Sequence, residues 1–193
     1  AGGGDHPRRD AVGARMILAV TGGKGGVGKS TVAYNLAAQL DGVVVDGDLA
    51  MADLPAGRGP DLHDVLSGRA AVEAAVCDEG PVTMVPCGRT LAGARASEPT
   101  QLAAALDTLD RTPRWVIVDS PAGLRADVGL PLAVADASVL VTTRSTAALA
   151  DALRVRELAR ELDAGLCRVV LNRADPDPAT DSIADRFGAP VVS

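Results

Sequence analysis

Gly23, Gly28, Lys29 and Ser30 stand at the spacing G-x-x-x-x-G-K-[ST] within Thr21-Gly22-Gly23-Lys24-Gly25-Gly26-Val27-Gly28-Lys29-Ser30-Thr31. These residue types at this spacing suit one task, the binding of phosphate groups. Glycines let consecutive backbone N–H groups converge on phosphate oxygens, and a helix that begins there directs its positive end at the same point. Lys29 is expected to reach the β- and γ-phosphates and the Ser30 hydroxyl to ligate Mg²⁺. The backbone from Gly25 through Gly26, Val27 and Gly28 to Thr31 is expected to cradle the phosphate chain. A glycine-rich turn with two solvated lysines is the alternative reading of the loop, and its flanking sequence favours the phosphate site.

The lysine count supports a specific role. The chain has seventeen arginines and only two lysines, Lys24 and Lys29, both inside one six-residue window. A compact ammonium fits among phosphate oxygens where a wide planar guanidinium does not.

The loop needs a strand before it and a helix after it. Met16-Ile17-Leu18-Ala19-Val20 reads as a buried strand, and Val32 to Leu40 carries apolar residues at helical spacing. Further strands are expected at Val43–Asp46, Val82–Pro86, Trp115–Asp119, Ala137–Thr143, at the run ending Arg168–Arg173, and at Pro190–Val192. Helices are expected at Leu62–Gly68, Arg69–Val76, Thr100–Leu109 and Asp181–Phe187. Another follows Thr143, with Leu149, Ala152, Leu153, Leu158 and Leu162 on one face and Arg156, Glu157 and Arg160 on a solvated one. Strands alternating with helices predict an α/β fold, a mostly parallel sheet of about seven strands in three α/β/α layers. Asp46, Asp48 and Asp119 then fall at carboxyl ends of strands, where open parallel sheets hold their ligands. Asp119 closes an apolar run in the manner of a magnesium-binding strand and leads into the turn Ser120-Pro121-Ala122-Gly123.

Lys24-Gly25-Gly26-Val27-Gly28-Lys29-Ser30 resembles the deviant Walker A motif, K-G-G-x-G-K-[ST], of the MinD/ParA class of P-loop ATPases. The resemblance extends over Met16 to Val192. Asp46 to Leu54 is similar to the D-x-D-x-G-M-A-N-L segment of MinD proteins, and Leu62 to Gly68, Asp119 to Gly123 and Val170-Leu171-Asn172-Arg173 also resemble that family, its archaeal members above all. The resemblance implies an ATP/ADP- and Mg²⁺-dependent ATPase that dimerises around ATP and acts as a switch in placing a division site, chromosome or surface machine. It assigns Lys24 to the partner subunit's nucleotide, Ser30, Asp48 and Asp119 to the metal region, Asp48 to the attacking water, and Asn172 with Arg173 to the adenine edge. The partner it implies is an unidentified protein or activator that reads the dimer. Two departures stand out. Thr142-Thr143-Arg144-Ser145 replaces the family's T-T-P-E, and the family's final segment, including the membrane-binding helix of bacterial MinD, has no counterpart before Ser193. Membrane attachment is therefore not implied. A ParA-like DNA-partitioning ATPase and a non-hydrolysing ATP-binding module are the alternatives.

Composition limits the rest. At 193 residues the chain is read as a flexible extension over 1–14 and one domain over 15–193, with Val, Ala and Leu filling the core, because it holds one Trp, one Tyr and one Phe. A formal net charge of −6 argues against a broadly basic nucleic-acid-binding face. Cys77, Cys87 and Cys167 are odd in number and lack C-x-x-C spacing, so they read as semi-buried hydrophobes in a reducing compartment. A cytoplasmic protein, peripheral to a membrane only through a partner, is expected. Paired cysteines for an iron–sulfur cluster are missing. His6 and His63 are isolated and read as surface residues.

Overall fold

The structure, a computed structural model, describes residues 16–50, 54–55, 58–112, 114–123, 126–174 and 180–193. The expected extension over 1–14 and most of the loop at 174–180 lie outside the described residues. In chain order the elements are β1 (Ile17–Thr21), α1 (Lys29–Leu40), β2 (Val43–Asp46), α2 (Leu62–Leu66), α3 (Val72–Ala75), β3 (Cys77–Glu79), β4 (Val82–Val85) and α4 (Leu91–Ala96). They continue with α5 (Gln101–Asp110), β5 (Val116–Asp119), α6 (Ala126–Val134), β6 (Ala137–Thr142), α7 (Thr146–Glu161), β7 (Gly165–Leu171), α8 (Thr180–Phe187) and β8 (Val191–Val192).

The strands form one eight-stranded sheet in the order β3-β4-β2-β5-β1-β6-β7-β8. Every neighbouring pair is parallel except β3 with β4. β1, β2, β5 and β6 are buried at every position, which is why their sequences are continuous Val, Ile, Leu and Ala runs and not alternating ones. The pleat sends alternate residues to opposite faces. Val20, Val44, Ile117 and Val141 pack with Ala33 and Ala37 of α1, while Ile17, Ala19, Val45 and Val118 pack with Leu62, Leu102, Leu106 and Leu132 of the helices on the other side. Leu140 and Val169 extend that second layer beneath α7 and α8, against Ala152, Val155 and Phe187.

The eighth strand is β3, an antiparallel edge strand reached through a tight turn at Gly80, whose φ of 61° lies in the left-handed region. Its Cys-Asp-Glu sequence has none of the apolar character that marks the others. Only Val72–Ala75 is helical between Arg69 and Val76, and α4 and α6 add two helices that the sequence pattern does not predict. α6 carries Pro131 within it, a residue that normally argues for a break.

α7 corrects the expected helix face. The residues buried against the sheet are Ala148, Ala152, Val155 and Ala159, and the leucines flank them. Small side chains bring the helix close, so larger ones are displaced to either side: Leu149 and Leu153 toward one cluster, Leu158 and Leu162 toward the other. Arg156 does not belong to a merely solvated face either, because its Nε donates to the Phe187 carbonyl at 3.0 Å and ties α7 to α8.

Candidate functional site

β1 lies at the centre of the sheet, and the chain leaves its carboxyl end between β5 and β6, the point where the strand order reverses. The glycine loop follows directly. A Cβ on Gly23 would run into the backbone of Asp151 on α7, so that position tolerates no side chain. Gly28, with φ 101°, is held by its conformation and by space, since a Cβ there would collide with the Asn172 carboxamide.

Gly28 is also the N-cap of α1, which has no side-chain cap and no acidic residue in its first turn. The first N–H groups of the helix are thus left to an anion. Lys29 is 7% exposed, its stem against Gly22, and among the described residues it makes no ion pair. Burying an ammonium without a counter-charge is costly, so this position fits a bound anion. The buried hydroxyls of Thr21 and Ser120 find no hydrogen-bond partner among the described residues, and they flank the same strand ends. Ser30 is half-buried, Val27 is buried, and Lys24, Gly25, Gly26 and Thr31 are exposed.

The acidic side of the site is built by β2 and β5. Asp46 and Asp119 face each other in register, both buried. The Gly47 N–H donates to the Asp119 carbonyl at 2.9 Å, the Ser120 N–H to the Val20 carbonyl at 3.0 Å, and the Gly123 N–H to the Gly22 carbonyl at 3.4 Å. These bonds stitch the segment after Asp119 between the phosphate loop and the Asp48 turn. The Asp46 carboxylate accepts from the Asp48 N–H and the Leu54 N–H, both at 3.3 Å, and so shapes the turn that carries Asp48. Burial, and then the neighbouring Asp119 charge, push Asp46 up to about 7 against the pull of those amides. Asp46 and Asp119 are buried and Asp48 is half-buried. Among the described residues no three ligating side chains converge on one point, and the carboxylate and hydroxyl oxygens here are of the kind that Mg²⁺ takes one or two at a time beside phosphate.

Asn172 follows β7 and faces the loop from the other side. Its Nδ2 donates to the Val27 carbonyl at 2.7 Å and its Oδ1 accepts from the Arg173 N–H at 2.9 Å. The carboxamide thus braces the phosphate loop. Arg173 is exposed with φ 56°.

Three features escape the sequence reading. Asp46, which the sequence puts at a strand's carboxyl end without a role of its own, shapes the turn that carries Asp48. Arg89 donates from Nη2 to the Leu54 carbonyl at 3.1 Å and holds the far end of the turn. His63 is 2% exposed, not a surface residue, and its Nε2 lies 3.0 Å from the Leu49 carbonyl and 3.3 Å from Cys87 Sγ. Of the cysteines, Cys87 is buried and its thiol is pushed far up by burial, Cys77 is half-buried, and Cys167 is exposed, contrary to expectation, because it lies on a thinly covered stretch of β7.

Comparison with known proteins settles the family. The CobQ/CobB/MinD/ParA nucleotide binding domain matches residues 18–191. The chain belongs to this family. It is 35% identical over 173 residues to an ATP-binding protein of Methanocaldococcus jannaschii, covering 84% of this chain and 66% of that one. A second ATP-binding protein of the same organism is 31% identical over 170 residues, with 82% and 64% covered, so the chain spans just under two thirds of the length of these relatives. The cell division ATPase MinD of Pyrococcus furiosus superposes with a TM-score of 0.80 at 29% identity, over 92% of this chain and 81% of that one. The septum site-determining MinD of Pyrococcus horikoshii, solved with Mg-ADP, gives 0.79 at 26%, over 90% and 78%. As in those MinD/ParA-type proteins, the fold is a mostly parallel sheet between helical layers. No helix among the described residues is long and apolar enough to cross a membrane.

Proposed function

We propose that this chain binds Mg²⁺-ATP and hydrolyses it, and that ATP joins two copies into a dimer that a protein partner reads. The observation that carries this reading is Lys29, a buried ammonium at the uncapped start of α1, beneath the glycine loop and in no ion pair among the described residues. Backbone N–H groups from Gly25 to Thr31 bind the phosphates and Lys29 neutralises them. Ser30 and Asp119 would hold Mg²⁺, with Asp48 close by. Bound there, the metal would supply charge neutralisation to the phosphate chain.

Hydrolysis is displacement at phosphorus. Water oxygen bonds to the γ-phosphorus, the bond to the β,γ-bridging oxygen breaks, and ADP and inorganic phosphate leave. Positioning and charge stabilisation provide most of the rate. Asp48 accepts a hydrogen bond from the attacking water and orients it. Lys24, exposed at the rim of the loop, reaches the nucleotide of the second copy. Asn172 and Arg173 meet the adenine edge, the Asn172 carboxamide keeping one N–H of Nδ2 on Val27 and offering the other to the base.

The switch follows from differential affinity. A partner that binds only the ATP dimer is released when hydrolysis dissolves it. The chain would act in site placement, as the cell division relatives do, in the cytoplasm or at a membrane periphery through that partner. ATP turnover and nucleotide affinity of three proteins test the reading. Wild type turns over Mg²⁺-ATP; Lys29→Ala loses affinity; Asp48→Ala keeps it while turnover falls about 100-fold or more. Undiminished turnover in both variants contradicts the assignment.

A further inference from the structure

His63 lies outside the nucleotide site, yet it touches the turn that carries Asp48. The residue opens the first turn of α2, one position after Leu62, and shares the buried face of that short helix with Leu66. Its imidazole is almost completely enclosed. Nε2 is 3.0 Å from the Leu49 carbonyl, the residue next to Asp48. A carbonyl only accepts, so the proton is on Nε2 and the bond is a donation from imidazole to backbone. Cys87 Sγ, 3.3 Å from the same nitrogen, shares that donor.

The rest of the ring sits in a cradle made by two glycines from another part of the chain. A Cβ on Gly88 would stand 2.6 Å from Nδ1, and one on Gly93, inside α4, 2.7 Å from it. Only glycine at both positions lets the ring in. Nδ1 has no hydrogen-bond partner among the described residues. A buried nitrogen left without a partner has a cost, and an apolar side chain would fill the same space without it. What the histidine provides in return is the single N–H aimed at Leu49.

The turn from Gly47 to Ala50 is tied to β5 by the Gly47 N–H bond to the Asp119 carbonyl at 2.9 Å, and further bonds lie within it. Its internal bonds are the Asp48 N–H to Asp46 Oδ1 at 3.3 Å, the Leu49 N–H to the Gly47 carbonyl at 3.1 Å and the Ala50 N–H to Asp48 Oδ1 at 3.3 Å, two of them at the long end of the range. The His63 bond at 3.0 Å connects this turn to a packed helix.

We propose that His63 is a positioning residue for hydrolysis: its Nε2–H latches the Leu49 carbonyl to α2 and holds in place the turn that carries the Asp48 carboxylate. The inference rests on the proposed role of Asp48 in hydrolysis. Because the same ring is clasped by Gly88 and Gly93, the latch also couples the turn to α4. It acts on turnover and leaves nucleotide affinity alone, since no atom of His63 belongs to the phosphate loop or the acidic cluster.

Two substitutions separate the donor from the bulk. His63→Met keeps a similar volume without an N–H; His63→Gln places an amide N–H where Nε2 was. The two readouts are kcat and KM for Mg²⁺-ATP, and amide hydrogen exchange at Asp48, Leu49 and Ala50 in the nucleotide-free chain, with exchange in β1 and β5 as the check that each variant is folded. The expected result for His63→Met is a kcat at least tenfold lower with KM within twofold of wild type, and at least tenfold faster exchange at the three amides. His63→Gln recovers most of both. Wild-type exchange at these amides in a folded His63→Met overturns the latch, and so does a parallel loss in both variants. If His63→Met does not fold, His63→Gln decides: faster exchange at the three amides in a folded protein with no recovery of kcat overturns it, and wild-type values of both support it. Should wild type itself fail to hydrolyse ATP, the parent reading falls, while the exchange experiment still decides the latch.

Discussion

Asp46 is held in the folded chain with its ordinary titration displaced from 3.8 to about 7 by burial and by Asp119. The folded state therefore keeps a proton that the unfolded state gives up above about pH 4. Between those values the folded chain binds more protons than the unfolded one, so stability falls as pH rises through the window and is level above it. The displacement corresponds to on the order of 4 kcal/mol. Urea unfolding of the nucleotide- and metal-free protein at pH 5 and pH 8 tests this, with Asp46→Asn as reference. Wild type is expected to lose several kcal/mol more than the variant on going to pH 8; equal losses contradict the placement of the charge. At this scale the phosphate loop is readable from sequence, because Gly28 and Lys29 follow from a local motif. His63 is not. A lone polar residue in a five-residue helix shows no periodicity that reveals burial, and Leu49, Cys87, Gly88 and Gly93 reach it only through tertiary folding.

α7 shows what an element's sequence does and does not reveal. Its helical character and extent follow from pattern, and Ser145 caps it by accepting from the Ala148 N–H at 3.2 Å. Its buried line, however, is Ala148, Ala152, Val155 and Ala159, because the helix must come close enough for Asp151 to abut Gly23. Hydrophobicity alone ranks the leucines first, and distance to the sheet decides otherwise. Ala152→Leu is expected to overpack this contact, at a cost of about 1–3 kcal/mol in urea unfolding, and to weaken nucleotide binding through the displaced loop. A neutral effect on both would mean that α7 does not set the position of Gly23. β3 and α6 were hidden for different reasons. β3 is a polar edge strand fixed by pairing with β4, and α6 tolerates Pro131 because tertiary packing around Leu132 outweighs local preference.

For the molecule as a whole, the order of strands matters more than their number. Placing β1 between β5 and β6, with β2 one strand further, gathers the loop after Thr21, the segment after Asp119 and the turn after Asp46 at one edge. The alternation of strands and helices predicts such an edge. The hydrogen bonds that lock its three segments together come only from the assembled sheet. On that edge Lys24 is exposed, while Lys29 is buried. In the proposed function the buried lysine serves its own chain and the exposed one a second copy. Molar mass from light scattering measures this most directly, on Asp48→Ala to slow turnover and on Asp48→Ala with Lys24→Ala, each with Mg²⁺-ATP and with Mg²⁺-ADP. The single variant is expected to dimerise with ATP only, and the double variant to stay monomeric in both nucleotides. A monomer throughout, with ATP binding confirmed, or a dimer that survives loss of Lys24, would contradict the proposed function.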